Sequence, residues 1–121
     1  MRGAPIVFAL LFVACSKSPP ETTPEQATAN YFAALSAGDC TAISATSGGD
    51  LAKKISTEGC AAAVNEAKSH ALVFVSATGA RPDGRDPSAR LVDVAIKSDG
   101  KDKKIIARVA RENGAWKVAT L

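Results

Sequence analysis

Three cysteines, one histidine, one tyrosine and one tryptophan carry most of the chemistry open to this chain. Cys15 directly follows an apolar run, Ala4 to Ala14, and precedes the polar, proline-rich stretch SKSPPETTPE. Cys40 and Cys60 are left as an even pair, which suggests a disulfide in an oxidising compartment. That bond would close a loop of about 21 residues, a constraint worth on the order of 3 kcal/mol in the chain-entropy picture. Two buried free thiols or a redox pair are the alternatives. The spacing is not C-x-x-C, and no neighbouring group would favour a thiolate. Two cysteines and one distant His70 give no recognised zinc spacing. His70 as a general base would need a partner and a cavity; its place at the junction of a helix and a strand reads as exposed. RPDGRDPSAR and SDGKDKK gather carboxylates without calcium-loop spacing, and read as solvated turns. Lys101, Lys103 and Lys104 at a turn read as a soluble strand edge, since lysine discourages strand pairing. Nothing implies a cofactor or a resident metal.

The opening stretch fixes an expected address. The 11 residues from Ala4 to Ala14 would make about 16 Å of helix, roughly half the hydrocarbon thickness of a bilayer, too short to span it. Arg2 is the one charge before the run, and small residues end it, as in a secretory signal. With Phe12-Val13-Ala14-Cys15 read as a lipobox, the segment resembles a bacterial lipoprotein signal peptide. The resemblance implies that residues 1–14 are removed, that the Cys15 thiol receives a diacylglycerol, and that the new amino terminus is acylated with a fatty acid such as palmitate. Two or three acyl chains anchor stably where one is marginal, at about 0.8 kcal/mol per buried CH₂. Ser16 stands where an aspartate retains Gram-negative relatives on the inner membrane, so the resemblance implies the periplasmic side of an outer membrane in a host that has one. Residues 15–23 then form a lipidated flexible tether, and residues 24–121 one small domain. The formal charge is +3, including Arg2, with Lys and Arg scattered among Asp and Glu. That distribution gives no footprint for nucleic acid.

The elements that must position these residues divide the domain in two. Thr23-Pro24-Glu25 is a helix start, with Ala27, Tyr31, Ala34 and Leu35 on one face, Phe32 beside them and Gly38 as C-terminal cap. Asp39 can cap a second short helix through Ile43, stopped by Gly48-Gly49. Asp50 can cap a third turn carrying Leu51 and Ile55. Ser56-Thr57-Glu58 then opens a helix with Cys60, Val64 and Ala67 on one face. From residue 71 the period changes. Ala71 to Val75 reads as a strand, and Ala80 to Ser88 as a loop. Val92, Val94 and Ile96 alternate with Asp93, Ala95 and Lys97, and Ile105, Ala107 and Val109 with Ile106, Arg108 and Ala110. Asp99-Gly100 turns the chain, Asn113-Gly114 is a type I′ hairpin signal, and Trp116, Val118 and Thr120 close a last strand. The expectation is an α+β domain, with N-terminal helices packed on a four-stranded antiparallel meander.

Tyr31-Phe32-Ala33-Ala34-Leu35 with Gly38-Asp39, short helices, then a meander ending Gly114-Ala115-Trp116-Lys117-Val118, resembles the nuclear transport factor 2-like (cystatin-like) superfamily, and within it small bacterial lipoproteins. The resemblance covers roughly residues 24–121. It implies a curved sheet wrapped round the first helix as a cone, with a pocket at its mouth. Tyr31 reads as core with its hydroxyl at that mouth, and Trp116 as core or else a ligand-stacking wall; these two are the candidate pocket residues. Enzymes, binding modules and dimerisation domains share that cone, so fold alone does not choose, and a homodimer through the sheet stays open. Ketosteroid isomerase-like and polyketide cyclase-like members pair a tyrosine donor with carboxylates in an apolar cone. Here Asp39 is better placed to cap a helix, Asp93 alternates outward, and the inward strand faces are apolar. The sequence therefore favours a non-enzymatic, lipid-anchored envelope domain binding a protein or a small apolar ligand; the alternative is a small pocket enzyme of the isomerase type. Intact mass of the chain extracted from its host's membranes should show loss of residues 1–14 and added acyl chains on Cys15. An uncleaved or unacylated chain would contradict the anchor.

Overall fold

The computed structural model describes residues 22–121. The expected signal segment, Cys15 and most of the expected tether lie outside those residues. Four helices precede four strands: α1 Pro24–Ala37, α2 Cys40–Thr46, α3 Gly49–Glu58, α4 Cys60–Ser69, β1 Val73–Asp83, β2 Asp86–Ser98, β3 Lys101–Glu112 and β4 Ala115–Thr120. The strands form one antiparallel sheet in the order β1-β2-β3-β4, giving the expected α+β architecture.

Local signals set the first two helices. The Thr23 hydroxyl accepts the Gln26 amide at 3.1 Å and Pro24 starts α1. Gly38 ends it at φ 68°, where its amide and that of Asp39 close onto the Leu35 and Ala34 carbonyls. Asp39 caps α2 by accepting the Ala42 amide at 3.1 Å. One α1 face, with Ala27, Tyr31, Phe32, Ala34 and Leu35, is buried. It packs on the inward stripe of the sheet, where Val92 pairs with Ala107 and Val94 with Ile105, while Val109 pairs with Val118. Phe32 lies edge-on to Tyr31 at 5.4 Å and stacks on Phe74 at 5.2 Å. Burying such side chains stabilises by about 1.5–3 kcal/mol each.

Three local expectations are corrected. The third helix starts at Gly49, not at an Asp50 cap: Gly48 is the N-cap without a side-chain bond, and the Gly49 amide donates to Glu112 Oε2 at 3.0 Å. The cap thus comes from the far end of β3. Ser56-Thr57-Glu58 continues α3, and the break before α4 falls at Gly59, whose φ of 94° and ψ of 145° suit glycine. Ala71 and Leu72 end α4 through amide bonds to the Lys68 and Ala67 carbonyls, so β1 begins at Val73.

The largest correction concerns Ala80 to Ser88, expected as a loop. β1 and β2 run through most of it and leave a two-residue turn, Gly84-Arg85. Pro82 is tolerated because β1 is an edge strand, and Pro87 sits at the start of β2. From β3, Arg108 Nε donates to Asp83 Oδ2 at 2.7 Å and its Nη2 to Asp86 Oδ2 at 3.0 Å, clamping both strand ends. The Arg108 hydrogen bond holds Asp83 below the usual carboxylate range; for Asp86 the Ser88 hydroxyl and amide do so first, with Arg108 adding to them. The other two hairpins match expectation: Asp99-Gly100 and Asn113-Gly114 both place two successive residues at positive φ. Cys40 and Cys60 are joined, with Cα atoms 5.7 Å apart, so the first residues of α2 and α4 are covalently tied.

Candidate functional site

Beneath α3 and α4, at the end of the sheet nearest the β2–β3 hairpin, lies an open cavity of about 550 Å³. Its floor comes from three sources. Tyr31, Phe32 and Leu35 project from the second half of α1; Ile96 and Ile105 from the inward faces of β2 and β3; Leu72 from the start of the sheet. Two helices form its walls by the same spacing. Asp50, Leu51, Lys54, Ile55 and Glu58 from α3 recur at steps of one, three, one and three, so they share one face. Ala62, Ala63, Glu66, Ala67 and His70 follow the same rule on α4. Within these faces Leu51, Ile55, Ala63 and Ala67 are at least half-buried, whereas Ala62 and the charged members stand exposed at the rim. A shallower hollow of about 320 Å³, sharing Phe32, Leu35, Ala67 and Leu72, lies beside the start of β1.

The walls are fixed at several points. α3 packs on β4, and the Gly48 amide donates to the Val118 carbonyl at 2.9 Å. α4 packs on the other three helices. The disulfide ties its N-terminal end. At its C-terminal end the Asp99 amide donates to the His70 carbonyl at 2.6 Å, and the His70 ring Nδ1 lies 3.2 Å from Asp99 Oδ2. Both side chains of that latch are exposed, as expected for His70.

Tyr31 is the polar group at the bottom. The residue is only 3% exposed, and among the described residues its hydroxyl makes no hydrogen bond. No fully enclosed polar side-chain atom among those residues lacks a partner. The hydroxyl must therefore face the open cavity. Burial pushes its phenol above the ordinary value of 10.0, and the nearby Glu66 carboxylate pushes it further.

The other candidate residues lie elsewhere. Asp39 caps α2 and Asp93 is exposed, accepting from Arg81 at 3.0 Å on the outer sheet face. Neither joins Tyr31. Trp116 does not line this cavity; it is half-buried, with the guanidinium carbons of Arg90 and Arg111 at 5.6 and 5.2 Å from its ring centre. Glu66, Glu58 and Asp50 are the site residues that sequence reasoning passed over. The one available signal was their spacing relative to Ala63, Ala67, Leu51 and Ile55, which becomes informative once the inward face of each helix is known.

No protein-family model matches this chain, and no curated protein is detectably similar to it. Among the described residues no helix is long and apolar enough to cross a membrane, and no three metal-binding side chains are grouped to hold an ion. The environment of Tyr31 can be checked directly, because it is the one tyrosine of the sequence. Its phenolate absorbance should rise only above pH 10 in the folded protein, and Glu66→Gln should lower the midpoint. A midpoint at or below the ordinary value, unmoved by that substitution, would contradict a buried hydroxyl facing Glu66.

Proposed function

We propose that this chain is a lipid-anchored protein of the cell envelope, with a domain of nuclear transport factor 2-like architecture that binds a small apolar ligand without transforming it. The observation that carries the binding reading is the cavity itself. Its volume falls in the range of small-molecule sites, its floor is largely apolar, and the Tyr31 hydroxyl is available to orient a ligand. The anchor rests on the residues around Cys15. It would place the domain on a short tether at the membrane surface, facing the periplasm where an outer membrane is present.

Two features weigh against the isomerase-like alternative. A proton-transfer site needs a base inside the cavity beside the donor. Here Asp50, Glu58 and Glu66 are exposed rim groups, and Asp39 and Asp93 are engaged outside it. An enolate forming next to Tyr31 would also meet the Glu66 carboxylate, which has the wrong sign to stabilise it.

Filling the groove tests the binding reading. Ala67 lines the cavity and is half-buried, so Ala67→Phe should occupy its floor. The neutral fluorophore diphenylhexatriene should brighten with the mature chain, residues 15–121 carrying Cys15→Ser. The Ala67→Phe version should lose that response while keeping its circular dichroism. Equal brightening in both, or none in the parent, would overturn the proposal.

A further inference from the structure

The rim of the groove carries a charge pattern that a purely apolar ligand would leave unused. On α3 the line is Asp50, Lys54, Glu58, one helical turn apart each time, so Lys54 stands between two acids. No ion pair forms along that line among the described residues. Across the opening, Glu66 on α4 has no cationic partner among those residues either. His70, on the same rim, is turned to Asp99. The opening thus presents three carboxylates against one ammonium group.

Acidic residues at a rim are common and by themselves mark nothing. What singles out this set is the second, independent feature beneath it. Tyr31, almost wholly buried, holds a hydroxyl without a protein partner toward the cavity that Glu66 also lines. Open to the cavity, that hydroxyl can bond water, so a ligand must supply a hydrogen bond at least as good when it displaces the water. The negative field at that hydroxyl disfavours an anionic head, and a neutral alcohol has a single donor, which can serve the hydroxyl oxygen or the carboxylate but not both. An ammonium head has N–H donors for both the hydroxyl oxygen and the carboxylate.

We propose that the groove takes an amphiphilic amine, its single apolar tail lying on Leu51, Ile55, Ile96 and Ile105 and its cationic head held between the Tyr31 hydroxyl and Glu66. This rests on the groove being a ligand site, and specifies the charge of what enters it. The tail contributes most of the affinity through burial of apolar surface, whereas the head selects among tails of equal length. Glu66 and Tyr31 are then specificity-determining residues. Lys54 limits the attraction, and its replacement should strengthen it.

The test uses three ligands with one tail: decylamine, decanol and decanoate, each below its aggregation concentration. Binding to the mature chain carrying Cys15→Ser is measured by calorimetry at neutral pH and low salt. Decylamine should bind about fivefold tighter than decanol, the contribution of one partly screened charge contact, and decanoate should bind weakest. Raising the salt should shrink the preference, because the rim is exposed. Glu66→Gln should remove most of it, weakening decylamine far more than decanol, and Lys54→Gln should enlarge it. Tyr31→Phe, which keeps the ring that packs the floor, should weaken decylamine more than decanol. If decanol or decanoate matches decylamine, or if Glu66→Gln leaves the order untouched, the charge assignment fails while the groove survives as an apolar site. If none of the three binds, the ligand-site reading fails with it.

Discussion

Helix α4 is held at both ends, and the groove depends on that. It is ten residues long, shorter than the length at which a helix persists alone in water. Val64 is its one buried hydrophobic residue. One such side chain is worth about 1.5–3 kcal/mol, and the loop closed by Cys40 and Cys60 contributes on the order of 3 kcal/mol in the chain-entropy picture. The covalent tie is thus comparable to the burial of that side chain, to which half-buried Cys60, Ala63 and Ala67 add. At the other end the His70 carbonyl takes the Asp99 amide of a hairpin tip. Ala63 and Ala67, half-buried against the core, line the groove from the α4 side.

The groove's electrostatics follow from the same arrangement. A charged residue on a short helix that rests on other helices can stay solvated at the edge, and Glu66 does so. The floor it overlooks is largely apolar, with the Tyr31 hydroxyl among its few polar groups. A hydroxyl in apolar surroundings under a carboxylate is a poor acid and a good acceptor. That combination suits recognition of a donor or a cation. It does not suit stabilisation of negative charge, which acyl and enol chemistry demand.

Some of this was legible in the chain because its causes are local. Thr23-Pro24, Gly38 and Asp39 fix helix ends through neighbours three or four residues away, and they read true. So does the alternation of Val92, Val94 and Ile96, since a strand with one buried face writes its period into the sequence. What misled was what distant residues decide. ARPDGRDPS has loop composition, yet Arg108 from β3 clamps Asp83 and Asp86 and draws the stretch into the sheet. The N-terminus of α3 takes its carboxylate from Glu112 rather than from Asp50. Trp116 reads as core or pocket wall by its strand parity; it packs half-buried against the core, away from the cavity, with two arginines over its ring. Glu66 was invisible as a site residue because its place depends on how α4 is rotated over α1, which no local pattern states.

The central claim is that a ligand enters between α3, α4 and the sheet, and the isoleucines report on it directly. Ile55, Ile96 and Ile105 line the groove; Ile43 is wholly buried without lining it, and Ile106 is exposed on the outer sheet face. With isoleucine methyl groups labelled in the mature chain, decylamine should shift the signals of Ile55, Ile96 and Ile105 in NMR spectra and leave Ile43 and Ile106 in place. Movement of Ile106 with the groove isoleucines unchanged would put binding on the open face of the sheet and contradict the account.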